Sequence, residues 1–260
     1  MIEIIPAELL PAVNSEIRKV TTLRRYQLLA AALVIVAIVA SSGFALMSGN
    51  ADPKGQPATG TATIGLYLAM AATIVAAGIF GALGAGEEYR YRTMPATVLF
   101  TPNRDRIAIA KFAVAAGFAV ATAALVEVIG AGCTLGFGRG KFDIGLKFFA
   151  ALGGGLVAAL CWAVLGTALG LLLRSAAGAV AALLGWFIVV EPLIWLITNM
   201  LGIPGFATLL PGSATVSTVV VGSFAKSHFL APAPAAVVVL VLWTSALGVA
   251  AWWYLRRREV

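Results

Sequence analysis

The segment GEEYRYRTMPATVLFTPNRDR, residues 86–106, lies between two long apolar runs at 62–85 and 110–136. It contains four arginines, three acidic residues and two prolines. A helix needs about 20 mostly apolar residues to cross the hydrocarbon core of a bilayer, and each flanking run is long enough. The segment is therefore predicted to be a polar connection between two membrane spans.

The composition of the whole chain favours a membrane protein. Its 260 residues are 61% hydrophobic and 11% charged, with a mean hydropathy of +0.98. Soluble domains are typically about 45–50% apolar and about 25% charged. Because lipid cannot satisfy free backbone groups, each span should be helical. We predict an all-α integral membrane protein with one transmembrane domain over residues 1–260.

Six apolar runs can be distinguished, and the basic residues predict their orientation. The runs cover 28–48, 62–85, 110–136, 148–173, 177–198 and 236–255. Thirteen of the 18 lysines and arginines precede the first run, separate the second from the third or the fourth from the fifth, or follow the sixth. Basic residues mark cytoplasmic loops. Both termini and residues 86–109 are thus predicted to face the cytoplasm, at a cell (inner) membrane.

Two other segments are predicted to touch the membrane without crossing it. In residues 1–27, Ile17, Val20 and Leu23 alternate with charged residues, which is typical of an amphipathic helix in the interface. A plain cytoplasmic leader is the alternative. Residues 199–235 are apolar but interrupted by prolines and glycines. They predict short helices that re-enter the outer half of the membrane; the alternative is a surface loop with an apolar patch.

No catalytic, nucleotide or metal site is convincing in the sequence. His228 is the only histidine, and Cys133 and Cys161 read as free thiols within apolar runs. GFGRGKF, residues 136–142, does not match a P-loop, because Leu135 and Phe142 occupy the glycine and hydroxyl positions. The net charge of +7 lies in short runs beside spans, which argues against nucleic-acid binding. We expect no cofactor or metal on this chain.

Two acidic residues lie inside predicted spans. A charged side chain near the centre of a span costs about 3 kcal/mol on insertion scales, so it usually faces the protein interior or water. Glu127 and Glu191 are therefore candidates for a substrate path, or for proton carriers in a secondary transporter. The alternatives are local: Glu127 is wetted near the outer surface, and Glu191, followed by the helix-loosening Pro192, caps the short helices after it.

Within residues 86–106 the pattern predicts a short helix. Gly81, Gly84 and Gly86 are expected to loosen the end of the second span. Residues 93–100 carry the apolar side chains of the short helix, which Pro95 is expected to shorten, and Thr101-Pro102 resembles the start of the next helix. An exposed apolar surface framed by charges suits docking into a groove on a cytoplasmic partner. A solvated loop is the alternative.

These residues resemble the membrane subunit of ABC exporters of the type 2 permease family. The similar features are Glu87-Glu88-Tyr89-Arg90, Thr93, Val98-Leu99-Phe100, Pro102-Asn103-Arg104 and Lys111. Residues 15–19 through Arg24 are similar to the interfacial helix of that family, and residues 209–212 to its segment before the last span.

The resemblance implies an ATP-driven exporter of amphipathic drugs, lipids or peptides. Two permease subunits, identical or related, would pair above two copies of a cytoplasmic ABC ATPase, which would bind ATP and Mg. This chain would not itself be an enzyme. The resemblance assigns ATPase coupling to Glu87, Glu88, Tyr89, Arg90, Arg92, Thr93, Met94, Val98, Leu99, Phe100 and Arg104. A proton-coupled transporter using Glu127 and Glu191 is the alternative; an intramembrane enzyme is disfavoured because no reactive pair is visible.

Overall fold

The computed structural model describes residues 8–49, 57–100, 103–224 and 227–257, and within them every regular element is helical. Six helical stretches of the described chain are long and apolar enough to cross a membrane. The predictions of an all-α fold and of six span-length apolar helices are therefore confirmed, which is consistent with a multi-pass membrane protein.

The helices follow one another through short connections. They are α1 (Leu10–Thr22), α2 (Arg24–Met47), α3 (Ile64–Arg90), α4 (Met94–Phe100), α5 (Arg104–Phe137), α6 (Leu146–Leu173), α7 (Ala176–Gly185), α8 (Glu191–Met200), α9 (Pro211–Val219) and α10 (Ala233–Arg257). Short 3-10 helices cover Thr61–Thr63 and Pro204–Leu209. The span-length stretches are α2, α3 with its leading 3-10 turn, α5, α6, α7 joined to α8, and α10.

Of the two helix ends predicted around residues 86–106, one is wrong. α3 continues to Arg90, past the glycines that were expected to loosen it. Gly81 and Gly86 instead allow close packing, because an added Cβ would overlap the backbone of α6 or the start of α7. α5 begins at Arg104, where the Asn103 side chain accepts a hydrogen bond from the Asp105 backbone N–H at 3.0 Å. The predicted start at Thr101-Pro102 lies outside the described residues.

The fifth span changes its winding where the sequence places a proline. Between α7 and α8, residues Trp186–Val190 form a π-helical turn, and the Glu191 N–H donates to the Trp186 carbonyl. Pro192 lacks an N–H and its ring would clash with a carbonyl one turn earlier, so a widened turn relieves the crowding. The predicted loosening of this helix is thus present as a π turn.

α3 and α6 form the centre of the bundle through small residues. An added Cβ on Gly166 would overlap the Gly78 carbonyl, and one on Gly170 would lie 2.8 Å from the Ala82 oxygen. Gly132 and Gly136 of α5 are also four residues apart, but they have open space around them. Only the first pair serves close helix packing.

Replacing Gly166 by alanine is expected to destabilise the protein by about 1–3 kcal/mol, because the two helix backbones must move apart. Gly132→Ala is the matched control. It should be neutral or stabilising by up to about 1 kcal/mol, since alanine has the higher helix propensity. Thermal unfolding in detergent measures both variants, and equal stability of the two would contradict the packing role of Gly166.

Candidate functional site

The direction of the chain after α3 is set by a hydrogen-bonded turn. The Thr93 N–H donates to the Glu88 carbonyl at 2.9 Å, and the Arg92 N–H donates to the Tyr89 carbonyl at 3.3 Å. Arg92 has a φ of 55°, the left-handed conformation that this helix-ending motif requires. The turn directs the chain from α3 into α4.

α4 has one buried face and one exposed face. Met94 is fully buried against Ile107, Ala108 and Leu255, so it joins α4 to α5 and α10. Val98 is half-buried in the same cluster, whereas Leu99 is 80% exposed. Met94 was predicted as a surface contact and lies in the core instead. The side chain of Phe100 is outside the described part of the structure.

A cluster of charged side chains joins the end of α3 to α1 and α5. Glu88 is buried, and its Oε1 accepts hydrogen bonds from Lys111 at 2.6 Å and Lys19 at 2.5 Å. Glu16 on α1 accepts from the same two lysines, at 3.2 Å from Lys111 and 2.7 Å from Lys19. The four side chains therefore form a closed, alternating set of charges.

A second ion pair joins the end of α3 to the start of α2. The Glu87 carboxylate binds the Arg25 guanidinium, which also donates to the Tyr26 hydroxyl at 3.0 Å. Tyr26 is buried and packs edge-on against Phe80 of α3, with ring centroids 4.8 Å apart. Glu87 and Glu88, which were predicted to contact a partner protein, thus both form ion pairs within this chain.

The pKa of Lys19 is higher than its ordinary value. Partial burial acts to lower the pKa, but the negative charges of Glu16 and Glu88, and their hydrogen bonds to the ammonium group, outweigh it. A raised lysine pKa adds stability that is fully present below the unfolded-state pKa and is lost only as pH rises through the folded-state pKa. The contribution of Lys19 to stability is therefore constant across the neutral pH range.

The other predicted coupling residues divide between anchored and exposed positions. Tyr89 is half-buried, with the Arg174 guanidinium 5.5 Å from its ring. Arg104 donates to the Leu255 carbonyl at 3.0 Å, which ties α5 to α10. Arg90, at the end of α3, and Arg92, in the turn before α4, are exposed. Among the predicted coupling residues, these two are the exposed charged side chains.

Glu191 caps α9. Its carboxylate accepts hydrogen bonds from the backbone N–H groups of Gly212 (2.9 Å) and Ser213 (2.5 Å), and from the Ser213 hydroxyl (3.2 Å). Trp186 donates from its indole nitrogen at 3.2 Å. The first N–H groups of a helix have no partner within it, and a carboxylate satisfies them and favours the positive end of the helix dipole. This geometry matches the capping alternative for Glu191.

Glu127 is buried but makes no hydrogen bond or ion pair with any described residue. Its carboxylate lies against Gly155 and Met70, where an added Cβ on Gly155 would overlap it. The two acids of the spans therefore differ: one holds a helix end, and the other is a buried carboxyl group between α3, α5 and α6.

Sequence reasoning identified Glu87, Glu88 and Lys111 but missed their pairing with α1 and α2. The pairing could have been suspected from the sequence, because these acidic and basic residues all lie near ends of spans on the same predicted side of the membrane. No group of three or more His, Cys, Asp or Glu residues that could hold a metal occurs among the described residues, and both cysteines are free.

No protein-family model and no curated protein matches this chain.

Proposed function

We propose that this chain is the transmembrane permease subunit of an ATP-driven ABC exporter, in which a separate subunit hydrolyses ATP. The observation that carries the proposal is the two-faced helix α4. Its buried Met94 anchors it to the bundle, while Leu99 is 80% exposed and the turn that leads into the helix carries the exposed Arg92. An apolar anchor framed by charges is the kind of element that fits a groove on a partner.

The contacts around α4 also explain how movement of such a partner would reach the spans. α4 packs through Met94 on α5 and α10, and the turn before it begins at Glu88. Glu88 binds α1 and α5 through Lys19 and Lys111. Because buried ion pairs and packed side chains resist separation, a displacement of α4 would shift these helices together.

The proposed orientation follows from the excess of basic residues near α4 and the termini. Both termini and α4 would face the cytoplasm at a cell (inner) membrane, with α1 in the interface. The 3-10 helix Pro204–Leu209 and α9 would enter the outer half of the membrane. Glu191 supports this placement, because it satisfies backbone groups of α9 that lipid could not.

The proposed complex contains two permease subunits, identical or related, and two ATPase subunits that supply the ATP and Mg sites. The substrate would be an amphipathic drug, lipid or peptide that moves outward. Within the predicted coupling set, the exposed residues Leu99, Arg90 and Arg92 are assigned to docking. Glu87, Glu88 and Met94 are assigned to transmitting movement, because their contacts lie within the chain.

A proton-coupled transporter is the second candidate, and Glu127 is the observation that favours it. A buried carboxyl group in a span with no described partner can exchange a proton without breaking an ion pair. Glu191 does not favour this function, because its carboxylate is engaged by α9.

The test is purification of the chain from its native membrane under gentle conditions. We expect an ATPase subunit to co-purify at equal stoichiometry and ATP hydrolysis to accompany it. Leu99→Asp should reduce recovery of the ATPase by at least about tenfold, because central apolar anchors dominate interface energies. Leu99→Met should retain it.

The matched control is Leu201→Asp, which changes a leucine that is also exposed (67%) and that directly follows α8, at the end of the fifth span. It should leave recovery of the ATPase unchanged. Absence of an ATPase from every sample, together with proton-dependent transport that is lost in Glu127→Gln, would replace the exporter by the second candidate.

A further inference from the structure

A cavity of about 610 Å³ opens at the same end of the bundle as the charged cluster. Helices α1, α2, α3, α5 and α6 all contribute to its wall. Its volume falls within the range of about 300–1,000 Å³ that is usual for sites that bind small molecules.

The wall of the cavity combines apolar and ionic residues. Val20, Phe80, Ala85, Val114 and Ala115 are among the residues of the wall. The ionic residues of the cavity are Glu16, Lys19, Arg25, Glu87, Glu88 and Lys111. A largely apolar wall that also carries charged groups has the polarity pattern of an amphipathic molecule.

The charge that the mouth presents outward is positive, although the six ionic groups balance. The side chains of Lys19 and Arg25 are 38% and 41% exposed, while those of their partners Glu88 and Glu87 are 7% and 15% exposed. An ammonium group has three donors and a guanidinium has five. Lys19 uses two of its three on carboxylates, so it retains a donor for an anion.

We propose that this cavity binds an anionic amphiphile, with its apolar chain inside and its phosphate group on Lys19 and Arg25. Charge-assisted hydrogen bonds from arginine and lysine are the strong contacts for phosphate oxygens. The apolar chain of the amphiphile would cover the apolar part of the cavity wall that otherwise faces water. The cavity shares Glu87 and Glu88 with the contacts assigned to transmitting movement, but none of the residues assigned to docking the ATPase lines it.

Gly84 makes the proposal testable without disturbing the fold. It lies on the cavity wall in α3, and an added Cβ there would meet no atom within 4 Å. Gly84→Leu therefore fills the cavity while it raises helix propensity. The matched control is Gly117→Leu, because Gly117 has equally open space on α5 and lies outside the wall of the cavity.

The experiment counts lipids bound to the purified full-length chain by native mass spectrometry. The probes are phosphatidylglycerol, phosphatidylcholine and glycerol phosphate. We expect one tightly held phosphatidylglycerol in the wild type and in Gly117→Leu, and its loss in Gly84→Leu. Arg25→Gln should weaken phosphatidylglycerol binding by about tenfold and leave the weak binding of phosphatidylcholine unchanged.

Three results would overturn the proposal. If Gly84→Leu retained the same lipid, the acyl chain of that lipid would have to bind outside the cavity. Equal binding of both phospholipids by the wild type would remove the role of the cationic mouth. Displacement of phosphatidylglycerol by equal concentrations of glycerol phosphate would identify a site for a free anion instead. Melting temperatures of the two glycine variants within about 2 °C of the wild type would confirm that folding is not the cause of any difference.

Discussion

Replacing Lys111 by methionine is expected to lower the free energy of unfolding by about 3–5 kcal/mol, the usual cost of removing one partner from a buried ion pair. Lys111 is buried and lies 2.6 Å from Glu88 and 3.2 Å from Glu16. Without it, the buried Glu88 carboxylate keeps only the more exposed Lys19 as a partner.

A double substitution separates the ionic contribution from packing. Lys111→Met combined with Glu88→Leu removes both charges, so it should be less destabilising than the sum of the two single changes. Titration with denaturing detergent in mixed micelles measures all four proteins. If the losses of unfolding free energy in the two single variants add up to the loss in the double variant, the Lys111–Glu88 ion pair does not stabilise the junction of α3 with α5.

Glu191→Ala is expected to cost at least about 2–3 kcal/mol, because it leaves four donors without their acceptor. Two of them are the backbone N–H groups that begin α9, at Gly212 and Ser213. Leu210, at the position before the helix, offers no side-chain cap in their place. Glu191→Gln should be intermediate, since one oxygen remains but an amide N–H₂ would face other donors.

Glu127→Gln is the matched control for this second prediction. It changes an acid of the same type that is also buried in a span but has no hydrogen-bond partner in the described chain. It should leave the melting temperature within about 2 °C of the wild type, whereas Glu191→Ala lowers it by more. A drop of the same size in both variants would mean that burial of an acid, rather than the capping of α9, explains the effect.

The spans and the loosened fifth helix could be predicted from sequence because the cause lies within each segment. Apolar length is a local property, and Pro192 acts on the turn next to it. The helix end at Arg90 could not be predicted in this way. Glycines weaken an isolated helix, but Gly81 and Gly86 are held by the close approach of α6 and α7, which the local pattern does not contain.

The candidate site was predictable in its composition but not in its contacts. Residues 86–106 stood out as polar, and Leu99 as an apolar surface residue was expected. The burial of Met94 depends on α10, which lies about 150 residues away along the chain. Glu87 and Glu88 were expected to face a partner, yet long-range pairing with Arg25, Lys19 and Lys111 turns them inward.

The sequence by itself determined that this is an all-helical, multi-pass membrane protein, because hydrophobicity over about 20 residues decides whether a segment can enter lipid. Only the tertiary structure decided which of two similar acids is satisfied. Glu191 accepts hydrogen bonds from the start of α9, whereas Glu127 lies against Gly155. This difference depends on which helices pack against each acid. Pairing between distant segments is a property of the packed bundle, and local hydrophobicity does not contain it.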